Sequence, residues 1–570
     1  MREIIPIAKK DTDLLIIIPP LGVKNTVYPP YGAMYIASAL MQKGYKPKIL
    51  DADAQRITNK EIIREVKRDN PRYIGFSGII ATSYKYIKEL SMELRRALPD
   101  RIQILGGGLA SAAEPVLKNT SIDVIVSGEG DATIVELLDC LEKKNNLAGV
   151  SGIYYRKDRS SVYTGKRPLI GNLDTLPYPA FDLIDMDKYL PDGRKFIRFF
   201  TTKFNDKRLY ERRRKRRMVT IPTSRGCFNE CSFCFRAYPG LRVHSVNYVF
   251  DFIEYCIEKF NAGFFTFGDE CFAPNKARNW EFINEFKKRD LNIIFRILGM
   301  RVDTVDPDIL RAYKEIGCWM IEYGFESGSQ KMLNIINKGV TVKQNKNAAA
   351  WTKEAGICTS PAFVLGMPGE TNETVQETVT FLNSLNFDFK LYQWKYAIPI
   401  PGSRLYDFSK ITGIIENEDE YLSSLAGEAA DGAFSLNLTD EADEIVAGWA
   451  EKLKNAQDRH YLYDKLNIGN TLVARAIAIL LLLRLHCRRG TLLFSIREKI
   501  KSLFQSIYKR DMKSSTRGKS SRSGKKINLK IEKFIEGNDC SSVNRAMSLK
   551  RINERLKEEL NAQKAPGVHL

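Results

Sequence analysis

The chain has 570 residues, 44% hydrophobic and 10% aromatic, with a net charge of +20 and a pI near 9.3. That length exceeds a single hydrophobic core and predicts at least two domains, and the apolar content excludes global disorder. The charge suits an anionic partner such as a phosphorylated substrate, nucleic acid or an acidic membrane surface, although much of it sits in local runs.

The first apolar run, LLIIIPP from residue 14, is too short for a signal peptide and no small-residue cleavage site follows, so it reads as a buried strand. PKILDAD, YIGFSGII, IQILGGG and DVIVSGEG read as further strands, and the stretches between them carry helical spacing, as in NKEIIREVKRD. This alternation over residues 1–145 predicts an α/β domain built on a doubly wound parallel sheet. Ligands of such sheets bind beyond the carboxyl ends of the strands, where Gly106, Gly107 and Gly108, and then Gly128, Glu129 and Gly130, fall.

Residues 146–215 read as a connector: two short β-like runs, a proline-rich stretch, then the basic KRLYERRRKRR. Between 216 and 410 the alternation returns with six βα repeats, which predict a partial (β/α)6 barrel whose active site forms at the carboxyl-terminal rim. Cys227, Asp269, Arg301, Glu326 and Glu370 all fall at those strand ends. Residues 411–510 read as a helical region. Within it LVARAIAILLLLRL (472–485) is apolar but interrupted by Arg475 and Arg484, either a helix packed on the barrel or an interfacial helix on an anionic membrane. A basic low-complexity linker and a last charged helix fill 511–570. No apolar window reaches the roughly 18 residues of a membrane span, and ten cysteines at this length are not a disulfide scaffold, so the expectation is a cytoplasmic protein.

The chemistry concentrates in SRGCFNECSFCF, where Cys227, Cys231 and Cys234 form a C-x3-C-x2-C array. A structural zinc site wants four ligands, and the nearest further candidates, His244 and Cys256, fall on the start and body of the next helix. A four-iron, four-sulfur cluster held by three thiolates, with one iron open to an exchangeable ligand, accounts better for the array.

The array, with Phe233 before the third cysteine, resembles the motif of the radical S-adenosylmethionine enzymes. That resemblance implies a [4Fe-4S] cluster on Cys227, Cys231 and Cys234 that binds S-adenosylmethionine and cleaves it reductively to a 5′-deoxyadenosyl radical. FTFGDECFAPN is similar to the family segment facing the methionyl amine, implicating Asp269 and Glu270, and Arg301 matches the position near the carboxylate. YGFESGSQKMLNIINKG places Glu326 and Ser327 near the nucleoside, and FVLGMPGET supplies Gly366 and Pro368 in the fifth-strand turn. Cys271, beside the carboxylates, reads as structural.

The first domain resembles that of the subgroup carrying a cobalamin-binding domain, through YPPYGAMYIASAL, GFSGI (with Gly75 and Ser77), ILGGGLAS and DVIVSGEGDATIVELL. It contains no histidine before His244, so no histidine ligand to the lower face of cobalt comes from it; Gly108 and Leu109 stand where relatives often have proline and histidine. The resemblance implies methyl transfer from cobalamin to an unactivated carbon of a small-molecule or lipid-like substrate, fed by a reducing donor such as flavodoxin or ferredoxin. Ring-forming or oxidative chemistry without methyl transfer stays open, as does modification of tRNA or a peptide. The basic segments lack interleaved aromatics, so nucleic acid is not the expected partner.

Overall fold

The computed structural model describes residues 12–20, 28–158, 160–200, 217–236, 238–385, 393–426 and 432–466. The apolar segment at 472–485 and the basic linker lie outside these residues. No helix among them is long and apolar enough to cross a membrane.

The first sheet contains β1 (Leu14–Ile18), β2 (Pro47–Asp51), β3 (Tyr73–Ser77), β4 (Ile102–Gly106), β5 (Val124–Val126), β6 (Ile153–Lys157) and β7 (Ser160–Tyr163). Its order is β2-β1-β3-β4-β5-β6-β7; the first five strands are parallel and the last two antiparallel. β1 is buried along its whole length because it has a neighbour on each edge and helices on both faces, which is why it reads as an unbroken apolar run. The β-like runs of the expected connector thus extend this sheet as a hairpin. The order reverses between β1 and β3, and the crevice of a doubly wound sheet opens at that point.

The second sheet contains β8 (Arg217–Ile221), β11 (Ala262–Gly268), β12 (Ile294–Met300), β13 (Cys318–Glu326), β15 (Ala362–Leu365) and β16 (Gln393–Tyr396), all parallel in that order, with the two-residue β14 (Cys358–Thr359) beside β13. This is the expected six-stranded partial barrel. A small antiparallel hairpin, β9 (Ser224–Cys227) with β10 (Gly240–Val243), stands on its rim and ends in the first thiol. Alternate residues of β13 and β15 separate two faces: Tyr323, Phe325, Phe363 and Leu365 are buried, whereas Glu322, Gly324, Ala362 and Val364 keep partial exposure. The lower end is filled by the helix Gly193–Phe200, whose Phe196 and Ile197 pack on Met218, Phe264, Ile294, Trp319 and Met320.

Above that plug lies a polar layer. Arg296 donates to Thr266 Oγ1 at 2.9 Å and to Glu322 at 3.3 Å, with its guanidinium 4.6 Å from the centre of the Phe196 ring. Glu322 retains 22% of its side-chain surface, and burial pushes its carboxyl up while Arg296 pulls it down. Thr266 and Glu322 lie three and four residues below Asp269 and Glu326, which at ~3.3 Å per residue sets this layer roughly 10–13 Å beneath the rim.

Candidate active site

The thiol loop begins at Gly226, whose φ of +82° belongs to the left-handed region and whose position 2.4 Å (from a notional Cβ) to the Gly240 carbonyl admits no side chain. Cys227 and Cys231 are half-buried and Cys234 is exposed; none is in a disulfide. The loop is held from two sides. Asn229 Nδ2 donates to Cys231 Sγ at 3.0 Å and to the Lys338 carbonyl at 2.8 Å, while Ser232 N donates to the Ile336 carbonyl at 2.9 Å. Phe233 packs against Met332, Leu333 and Met367 in a small core under the rim, so it anchors the loop.

The three thiols are electrostatically unequal. A hydrogen bond from buried Cys271 is the largest influence on Cys227 and, with Arg301 and Lys338, brings it down to about 6 against the opposing effect of burial. The surrounding protein raises Cys231 and, although Cys234 reaches the surface, raises it too, with the help of Cys231 and Glu270. Cys271 is buried with its S–H on the Ala273 carbonyl at 3.6 Å, and its electrostatic influence reaches the first thiol as well.

The two carboxylates after β11 divide. Asp269 accepts from Thr223 N and Oγ1 and from Ser224 N and Oγ at 2.7–2.8 Å, so its oxygens bracket the start of the thiol loop instead of facing the rim. Burial nevertheless lifts it to about 6. Glu270 stands outside that bracket and is likewise raised to about 6, by burial first and then by Cys227 and Asp269. Arg301 forms a two-point contact with Asp303 at 2.9 and 2.8 Å and lies 4.8 Å from the Phe228 ring centre. Glu326 sits at φ +59° and pairs with Lys338 at 2.6 Å. Gly324 makes room for that pair: a Cβ there would stand 2.3 Å from Glu326 Oε1 and 2.9 Å from Lys338 Nζ. Ser327 is buried and shares a hydrogen bond with Thr378 at 3.1 Å. Gly366, at φ +74°, donates its N–H to buried Glu370 in the turn that also holds Pro368. Lys338 belongs to the quoted NKG stretch but was not singled out from sequence. Arg296 and Glu322 were not singled out either; the signal that marks them is a single charge inside an apolar strand.

In the first domain a cavity of about 140 Å³ opens at the carboxyl ends of β1, β3, β4 and β5. Gly75, Ser77, Gly106, Gly107, Gly128 and Gly130 line it. Gly107, at φ +93°, would place a Cβ 2.6 Å from the Gly78 carbonyl, and Gly108 one 2.5 Å from that of Ile79, so these glycines let two loops interlock over the slot. Gly108 and Glu129 do not line it. Glu129 instead accepts from Arg225 and Arg242 at 2.8–2.9 Å and from Ile170 N at 2.7 Å, and Arg225 also pairs with Asp131 at 2.8 Å. Arg225 and Tyr238, from the barrel side, complete the lining. Phe235, next to the third thiol, contacts the positions of both Gly108 and Gly402. This joint between slot and thiol loop has no counterpart in local sequence pattern.

His244 Nδ1 donates to the Asp174 carboxylate at 3.0 Å and its ring stacks on Tyr248, and Cys256 is buried in the helix Val246–Phe260, so neither stands beside the triad as a fourth ligand. Three thiols on one short loop, one of them held low and one accepting an N–H, suit a cluster bound by three protein ligands. A glycine-opened apolar slot at a switch point suits part of a large planar cofactor, and cobalamin fits it in character.

The description of the radical SAM superfamily matches residues 221–382, and that of the B12 binding domain matches residues 21–138. The chain is 30% identical over 407 residues to an uncharacterized methyltransferase, PH0819, of Pyrococcus horikoshii, covering 70% of this chain and 83% of that one. It is 29% identical over 390 residues to the anaerobic magnesium-protoporphyrin IX monomethyl ester cyclase of Rubrivivax gelatinosus, covering 66% of each. In fold it is similar to the radical S-adenosylmethionine methyltransferase TsrM of Kitasatospora setae, solved with cobalamin and a [4Fe-4S] cluster, at a TM-score of 0.59 and 16% identity over 87% of this chain and 100% of that one. Likeness of that extent, carried by both domains at once, makes this chain a member of the radical S-adenosylmethionine superfamily, in the group whose members also have a B12-binding domain.

Proposed function

We propose that the enzyme cleaves S-adenosylmethionine reductively and methylates an unactivated carbon of a small molecule whose inserted end is polar. Bound together, the cluster and cobalamin supply one-electron chemistry and a transferable methyl group. The chain's own residues do the placing. Cys227, Cys231 and Cys234 hold the cluster. Glu270 offers a carboxylate to the methionyl amine and Arg301 a guanidinium to its carboxylate, while the Glu326–Lys338 pair borders the nucleoside. The slot lined by Gly75, Ser77, Gly106, Gly107, Gly128 and Gly130 takes cobalamin. The Arg296–Glu322 layer closes the lumen with a donor and an acceptor side by side and no net charge. That favours an uncharged polar or zwitterionic substrate end over a bare hydrocarbon, since an apolar group there would leave both unsolvated.

One observation supports this reading: the thiol loop is fastened through Arg225 to residues that flank the slot, so the loop proposed for the cluster and the slot proposed for cobalamin share one buried joint. The test is protein prepared without oxygen, loaded with iron, sulfide and cobalamin, and given reductant, S-adenosylmethionine and either the water-soluble or the lipid fraction of a cell extract. 5′-Deoxyadenosine and S-adenosylhomocysteine rising together with the soluble fraction is the expected result. Deoxyadenosine alone would move the reaction to cyclisation or oxidation, the activity class of the cyclase relative. Response to the lipid fraction alone would remove the polar-end argument. Cys231→Ala should abolish both products and the visible charge-transfer absorbance.

A further inference from the structure

Asn229 lies between the first two thiols in the chain, and its amide does more than hold the loop. Its side-chain nitrogen is 2.8 Å from the Lys338 carbonyl and 3.4 Å from that of Asn337. Carbonyls only accept, so these two oxygens settle which end of the amide is nitrogen. The second N–H is thereby aimed at Cys231 Sγ, 3.0 Å away. The carbonyls belong to a rigid turn. It follows the short helix Gln330–Ile335, reverses at Asn337 (φ +54°) and leaves at Gly339 (φ +68°). Two contacts fix the turn and loop together, Ser232 N to the Ile336 carbonyl at 2.9 Å and Asn337 Nδ2 to the Glu230 carbonyl at 3.0 Å, while Arg404, on the helix Arg404–Ile411, meets Glu230 from outside the turn at 2.6 Å. The Lys338 ammonium is paired with Glu326, which offsets part of the positive charge it brings near the thiols.

We propose that Asn229 is a positioning residue that sets the reduction potential of the cluster, by an N–H···S bond to Cys231 whose direction is imposed by the turn at residues 336–339. The inference rests on reading the triad as the cluster's ligands. Its physical basis is that the reduced cluster carries one more negative charge, so a donor at a ligating sulfur stabilises the reduced form more than the oxidised form. The bond therefore raises the potential, and losing it makes the cluster harder to reduce.

The experiment is a midpoint titration of the full chain, reconstituted with iron and sulfide and followed by the electron paramagnetic resonance of the reduced cluster, without substrate. Asn229→Leu keeps the side-chain bulk and removes both donors; its midpoint should move to more negative values. Asn229→Asp, which sets an anion beside the sulfur, should move it further the same way. Asn337→Gly keeps the left-handed turn and removes only the contact to Glu230. It should weaken iron retention and leave the midpoint where it was, which a merely structural role for Asn229 would not distinguish. A midpoint in Asn229→Leu equal to the wild type overturns the inference. Should that variant take up no cluster, pulsed resonance of the wild-type reduced cluster, in protein labelled with ¹⁵N at asparagine side chains, decides instead: a nitrogen coupling supports the bond and its absence overturns it. Wild-type protein with no four-iron signal overturns both this inference and the functional reading beneath it.

Discussion

Arg225 and Asp131, 94 residues apart in the chain, meet at 2.8 Å with 14% and 8% of their side-chain surfaces exposed. The pair joins the residue two before the first thiol to the helix that opens beside the slot. Removing one member of a buried pair leaves an uncompensated charge and typically costs about 3–5 kcal/mol. Arg225→Met is accordingly expected to lower the melting temperature and to release cobalamin on gel filtration, read from the visible absorbance of the protein peak. Asp131→Asn, which leaves Glu129 to serve the same arginine, should be milder on both counts.

Gly226→Ala should prevent cluster assembly while the two sheets still form. The residue needs a left-handed backbone and would drive a Cβ to 2.4 Å from the Gly240 carbonyl, so the hairpin carrying Cys227 must open. Iron per chain near zero, with unchanged far-ultraviolet circular dichroism, is the expected pair of readings.

Gly324→Ala probes the rim from the opposite side. The added methyl would displace Glu326 and Lys338 from each other, since it would overlap both. Affinity for S-adenosylmethionine, measured by equilibrium dialysis on the loaded enzyme, is expected to fall about tenfold or more, a loss of at least ~1.4 kcal/mol.

Glu370 gives a pH signature. Burial raises its folded value to about 7 from the usual 4.5, against the two backbone N–H groups it accepts. Between those values the folded state keeps a proton that the unfolded state has released, so stability falls as pH rises from about 4.5 to about 7 and is level beyond. Glu370→Gln retains an acceptor for Gly366 and Met367 and abolishes the titration. Denaturant unfolding should show the variant losing less stability across that window, by up to roughly 3 kcal/mol at pH 8.

Much of this architecture is written locally. Period and punctuation located β1 to β5 and the barrel strands because each is a short apolar run closed by glycine, proline or aspartate. The thiol triad was legible because its three members are near neighbours. What escaped was whatever depends on partners far along the chain. Asp269 reads as a rim carboxylate until Thr223 and Ser224, 46 and 45 residues earlier, are seen to occupy its oxygens. Glu129 reads as part of a ligand turn until Arg225 and Arg242 arrive from the other domain. The hairpin at Ile153–Tyr163 read as connector because an antiparallel edge pair carries too little apolar pattern to declare its sheet. Lys338 lay in a stretch already quoted, and only its contact with Glu326 distinguishes it from a solvated lysine.

The joint built from Arg225, Arg242, Glu129 and Asp131 also bears on how such an enzyme can be recombined. A chimaera that replaced the first domain with one lacking the two acids would enclose two guanidinium groups with nothing to neutralise them, and the reciprocal exchange would strand two carboxylates. Either half is therefore expected to be portable only with its counterpart matched at these four positions.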